Sequence, residues 1–188
     1  MTPFQEATVV IWIAHEIFWG LHARGNKETA VKGNPLPRLF TLGTLVIGFA
    51  LLYLPYFSVG VLGWRVVSEN DLSGALGVVL CCGGIALAWW ARRTLGTNWS
   101  GAVTLKKEHE LVRGGLYGLV RHPIYFGLLL AIFGSAVAMT QLKGFVAVVL
   151  VFLGMAVKVN QEETILSTLF AEYDEYRRSV KRIIPFVY

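Results

Sequence analysis

Two clusters of ionisable residues stand where the chain passes between polar and strongly apolar sequence. The first is Arg121-His122-Pro123, preceded by Tyr117 and followed by Tyr125. The second is Glu162-Glu163. Arginine offers a planar fork that matches a carboxylate or phosphate. A carboxylate accepts hydrogen bonds from hydroxyl and ammonium groups, while tyrosine and histidine can donate. Together they would bring an Arg, a His, two Tyr and two Glu to one boundary. Taken singly, each has a plainer reading: Arg121 as a headgroup anchor, His122 as a structural histidine, the glutamates as a solvated helix start, the tyrosines as interface-belt aromatics. The meeting of all of them at one membrane boundary, where ionisable groups are costly, favours function. Other chemistries fit poorly, and no metal site is expected. The histidines His15, His22, His109 and His122 have no paired ligand spacing. No G-x-S-x-G nucleophile and no G-x-G-x-x-G loop is present.

The elements that must position these groups are membrane spans. Hydrophobic residues make up 55% of the 188 and charged residues 15%, against about 25% charged in a soluble domain. Residues 39–64, 73–91, 124–142 and 144–157 carry almost no charge. A span needs about 20 apolar residues, so the last two runs require flanking residues or tilt. The stretch TVVIWIAHEIFWGL within residues 1–23 reads as a first span, with His15 and Glu16 turned towards other helices; the plainer alternative is a helix lying on the membrane surface. It lacks the basic start and small-residue cleavage pattern of a signal peptide. The fold class expected is therefore all-α, a bundle of five transmembrane helices followed by a cytoplasmic amphipathic helix.

Charge placement supports five spans. All of the 17 Lys and Arg residues except Arg65 and Lys143 then fall on one side, which is the cytoplasmic side by the positive-inside rule. The N-terminus lies outside and the C-terminus inside. Anionic lipid suffices to explain the net charge of +5, without nucleic acid. Spans four and five form a hairpin around TQLKG (140–144), which brings both ionisable clusters to the same edge. Pro123 suits a first helical turn. Ile165, Leu166, Leu169, Phe170, Tyr173 and Tyr176 recur at helical spacing. They predict an amphipathic continuation along the cytoplasmic face, and IIPFVY (183–188) is expected to tuck back. Glycines through spans two and three suit close helix packing. Cys81 and Cys82 are adjacent, too poorly oriented to bridge each other, and serve as small apolar side chains. The chain divides into a three-span scaffold over 1–92 and a catalytic half over 93–188.

The stretch HELVRGGLYGLVRHPIYFG, residues 109–127, resembles the isoprenylcysteine carboxyl methyltransferase and phospholipid methyltransferase superfamily. The matching positions are His109, Leu111, Val112, Gly115, Tyr117, Val120, Arg121, His122, Pro123, Tyr125 and Gly127. LGTNWS (95–100), Glu162, Glu163, Leu169, Phe170, Glu172, Tyr173 and Pro185 also look like the family. The resemblance covers residues 92–186. Two departures are Lys158, where the family often has Arg, and Ala171, where Gly is usual.

The resemblance implies S-adenosylmethionine as methyl donor and a site on the cytoplasmic side. It implies that His122 and Tyr125, with Tyr117 and Pro123 beside them, contact the cofactor. Glu162 or Glu163 binds its ribose hydroxyls or amino group, and Leu111, Val112 and Leu116 bed its adenine. Arg121 holds a carboxylate of cofactor or acceptor, so Arg121 and Glu163 are the expected catalytic pair. The expected reaction is O-methylation of isoprenylcysteine or a similar lipophilic carboxylate that enters from the bilayer. N-methylation of phosphatidylethanolamine or another lipid amine is the alternative. An NADPH-dependent sterol-type reductase and a non-enzymatic scaffold are the remaining readings.

Overall fold

In the computed structural model, residues 1–22, 29–32, 35–96, 104–106 and 111–187 are described. Among the described residues, six α-helices carry the fold: α1 (Pro3–His22), α2 (Pro35–Tyr53), α3 (Asp71–Leu95), α4 (Pro123–Met139), α5 (Leu142–Leu169) and the short α6 (Tyr173–Ser179). By length and composition α2, α3 and α5 can each cross a membrane, and α4 is a shorter apolar helix. The protein is a multi-pass helical membrane protein. His109 and residues 97–100 lie outside the described residues.

Close contact between α3 and α4 forms the centre. Gly77 and Gly84 on α3 face Gly134 and Gly127 on α4 at a seven-residue interval. A Cβ added at Gly84 would stand 2.4 Å from the Ala131 nitrogen and the Gly127 carbonyl oxygen. Backbone meets backbone there, which is how helices associate where no hydrophobic difference separates protein from lipid. Fully buried Ala88 and Ala131 continue the seam. The α2–α5 contact follows similar logic: Thr41 Oγ1 donates to the Gly154 carbonyl at 2.8 Å. Side-chain bonds tie α1 to this core, with Trp12 Nε1 donating to Ser135 Oγ at 3.0 Å and Tyr53 donating to Thr8 Oγ1 at 3.1 Å.

Four expectations change. The apolar run 39–64 is not one helix. Pro55 lacks an N–H and ends α2 at Tyr53, and short 3-10 turns at Pro55–Phe57 and Gly60–Gly63 follow. The all-helical class needs one addition, because β1 (Thr29–Lys32) pairs antiparallel with β2 (Thr104–Lys106). His15 is buried and accepts from Trp89 Nε1 at 3.0 Å, but Glu16 is exposed, since adjacent helical positions point in different directions. The polar pair therefore does not face inward together. Finally, α5 runs unbroken to Leu169, turns at extended Phe170, and a separate helix α6 follows.

At the α4–α5 turn, Thr140 adopts φ 61°. Buried Lys143 donates to the Leu54 carbonyl at 2.9 Å, capping the open end of α2.

Candidate active site

At the opposite end of the bundle, α4 begins where α5 nears its end. Leu142 to Glu162 spans about 30 Å of helix, roughly one hydrocarbon thickness. Pro123 occupies the first turn of α4 and is fully buried. Its fixed φ sets the helix start and leaves Arg121 and His122 just ahead of the first turn, His122 at the N-cap. A parallel bridge pairs Val120 with Lys181 of the tail. The Arg121 and His122 amides donate to the carbonyls of Lys181 (2.8 Å) and Arg182 (3.0 Å).

Glu163 is the hub of the cluster, at 5% exposed. Its Oε1 accepts from Arg121 Nε at 2.8 Å, lies 2.8 Å from Arg121 Nη2, and stands 3.1 Å from His122 Nε2. Because an ionised carboxylate only accepts, His122 Nε2 carries the proton. Arg182 Nη2 reaches Oε2 at 3.0 Å and Asn160 Oδ1 at 2.5 Å. The other arm of Arg121 donates to the carbonyls of Arg177, at 3.0 Å, and Val180. One guanidinium thus fastens α5 and the tail to the start of α4.

Glu162 is set differently. Its side chain is 20% exposed, Oε1 accepts from the Tyr125 hydroxyl at 2.7 Å, and Oε2 lies 3.6 Å from His122 Nδ1. Lys158 Nζ is 3.9 Å from Glu162 Oε1 and 5.4 Å from the centre of the Tyr125 ring. This ammonium has no planar fork and meets Glu162 as a point charge.

Behind the charges lies an apolar patch. Tyr117, Ala91 and Ile124 are buried, and Trp19, Val112 and Leu116 pack against them half-buried. Leu111 is also half-buried. Tyr176 donates to the Tyr117 carbonyl at 2.6 Å, and Tyr117 to that of Ala91 at 3.4 Å. Burial pushes the Tyr176 phenol up to about 12 against the lowering pull of Arg121 and Arg113. Burial likewise raises Tyr117 and Tyr173. All three stay protonated and act as fixed donors or apolar walls.

The structure brings Arg121, His122, Tyr125, Glu162 and Glu163 into one contact network. Tyr117, Leu116 and Val112 form a patch beside it. Sequence reasoning missed Arg182 and Asn160, which complete the ring around Glu163. The only signal was a basic pair, Lys181-Arg182, just ahead of an apolar tail.

The chemical capacity of this arrangement is limited and specific. Glu163 is saturated by cations and donors, leaving it little capacity to take up a proton. Glu162 keeps free lone pairs towards partly open space. The site can recognise and align charged and hydroxyl-bearing groups beside an apolar surface.

The fold and site define a multi-pass helical membrane protein with a cluster of charged side chains at one end of the bundle, bonded to its C-terminal tail. The sequence profile of the phospholipid methyltransferase family matches residues 72–173, more than half of the chain. The chain belongs to that family. Relatives include protein-S-isoprenylcysteine O-methyltransferase A of Arabidopsis thaliana, 36% identical over 87 residues, covering 45% of this chain and 44% of that one. The protein-S-isoprenylcysteine O-methyltransferase of Saccharomyces cerevisiae is 32% identical over 130 residues, covering 64% of this chain and 54% of its own. The chain spans about half the length of the curated relatives it matches. A solved structure of a eukaryotic intramembrane Ras methyltransferase, isoprenylcysteine carboxyl methyltransferase, superposes with a TM-score of 0.55 at 22% identity. It covers 84% of this chain and 55% of that one, and shares the fold.

Proposed function

We propose that the protein is an S-adenosylmethionine-dependent methyltransferase that esterifies a lipophilic carboxylate of the isoprenylcysteine type. The observation that carries this reading is the convergence of Arg121, His122 and Tyr125 on Glu162 and Glu163 beside an apolar patch. Membership of a methyltransferase family requires a methyl donor, and the donor set fits S-adenosylmethionine. Glu162 retains acceptor capacity for an ammonium or hydroxyl group. Leu111, Val112 and Leu116 supply apolar surface for a planar base. Bound there, the cofactor supplies a sulfonium-activated methyl group.

The protein's part is alignment and exclusion of water, since methyl transfer to a carboxylate involves no proton. Tyr125 orients Glu162, and His122 spans the two glutamates. Arg121 is committed to Glu163 and the tail carbonyls, so it holds an acceptor carboxylate only by sharing its fork with Glu163. In this reading five helices span the membrane, α1 among them, with the N-terminus outside and the site cytoplasmic. The soluble donor arrives from the cytoplasm and the acceptor from the bilayer. The named relatives favour the carboxylate acceptor. The family description favours a second reading, N-methylation of a phospholipid amine such as phosphatidylethanolamine.

Incubating the purified protein with methyl-labelled S-adenosylmethionine, in parallel with N-acetyl-S-farnesylcysteine and with phosphatidylethanolamine, tests the proposal. Base-labile label on the prenylcysteine alone is the expected outcome. Base-stable label on the lipid amine alone would establish the second reading in its place.

A further inference from the structure

A cleft of about 600 Å³ opens on the tail side of the Arg121–Glu163 pair. It is distinct in lining from the proposed cofactor face, because none of His122, Tyr125, Glu162 or the apolar patch borders it. Its ionisable lining consists of Arg121, Arg177, Arg178, Lys181 and Arg182 against one carboxylate, Glu163. Glu163 is already engaged by Arg121 and Arg182. Among the described residues no carboxylate lies within ion-pair distance of Arg177, Arg178 or Lys181. The neighbouring hydroxyls cannot satisfy an anion as donors. Thr164, Ser167 and Ser179 each spend their proton on a backbone carbonyl of their own helix. The cleft is therefore an open cationic cradle whose free donors are guanidinium and ammonium groups.

Its rim adds a second character. Val187 lines the cleft, and Phe186 beside it is 87% exposed. Large apolar side chains next to unpaired cations, at the level where α5 leaves the hydrocarbon, match the two halves of an amphiphile: acyl chain and anionic headgroup.

We propose that this cleft binds the phosphate headgroup of an anionic phospholipid, with its acyl chain against Val187 and Phe186. Arginine forks suit phosphate oxygens, and the site lies at headgroup depth. The same segment supplies the carbonyls that hold Arg121, so a lipid seated on Arg177, Arg178 and Lys181 also secures the roof of the neighbouring site. The proposal concerns a lipid that is not methylated and does not depend on the reaction assigned above.

Native mass spectrometry of the whole protein, released from detergent with equal phosphatidylglycerol and phosphatidylcholine, tests it. The wild-type protein should retain phosphatidylglycerol preferentially. The variant carrying Arg177→Gln, Arg178→Gln and Lys181→Gln should lose about a hundredfold of that preference, as expected for three cations at a lipid surface. The charge-conserving set Arg177→Lys, Arg178→Lys and Lys181→Arg should keep most of it. If the neutral triple variant fails to fold, Arg178→Gln alone should still lower the preference several-fold. Equal retention of both lipids by the wild type, or an unchanged preference in the neutral variants, would overturn the proposal. So would inorganic phosphate raising the thermal midpoint as much as phosphatidylglycerol does, since the cleft would then serve a soluble anion.

Discussion

Glu162 and Glu163 are adjacent in sequence, yet their surroundings separate them. Glu163 is buried among Arg121, Arg182 and His122, while Glu162 keeps an open side and one tyrosine donor. Two different outcomes follow. Glu163→Gln strands two cations in a place with little water and should lower stability by about 3 kcal/mol, read as a lower unfolding midpoint in detergent. Glu162→Gln should leave that midpoint nearly unchanged and act on ligand affinity. The phenols give a pH prediction with a definite sign. Tyr176 has a folded pKa raised from 10.0 to about 12. The unfolded chain therefore releases this proton first. The stabilisation is complete below pH 10.0 and declines as pH rises through about 12. Alkaline unfolding of the wild type should be steeper than that of Tyr176→Phe over this window. At this scale the sequence shows residue types well and partners poorly. Arg121, His122, Tyr125 and the glutamates were legible because they are polar groups at apolar borders. Arg182 was not, since its partner lies across a tail pairing that no local pattern encodes.

Among the elements, the α3–α4 contact is held by absent side chains. Gly84→Leu or Gly127→Leu drives carbons into the facing backbone. Either should cost about 1–3 kcal/mol or more, because overpacking cannot relax against main chain. Gly83, with open space around it, should tolerate leucine. Thermal unfolding of the three variants in one detergent makes the comparison. The apolar runs revealed the spans, and the glycines suggested close packing, but not which helices would meet. Hydropathy also overran the end of α2, since residues 54–64 are as apolar as the helix and only Pro55 marks the break. The β1–β2 pairing escaped notice because each strand has four residues or fewer.

For the molecule as a whole, charge asymmetry and chemistry point the same way. Among the described residues, the tail cations Arg177, Arg178, Lys181 and Arg182 gather around the Arg121–Glu163 pair, while Arg65 and Lys143 lie at the α4–α5 turn. In the proposed reading a polar donor and an apolar acceptor meet at such a border, and the tail is fastened beside it by Arg121. Sequence reveals this arrangement because the bilayer imposes it on composition. The identity of the acceptor leaves no comparable trace, since the same cations and carboxylates suit an acid or an amine. The central claim is that the cluster at the α4–α5 edge binds the methyl donor. Calorimetric titration of the detergent-purified protein with S-adenosylhomocysteine tests it most directly, with NADPH run in parallel and Glu162→Gln as comparison. The account predicts binding of S-adenosylhomocysteine alone, weakened about tenfold or more in the variant, as loss of a charged hydrogen-bond acceptor requires. Binding of NADPH alone, or of neither ligand by wild-type protein that unfolds cooperatively, would contradict it.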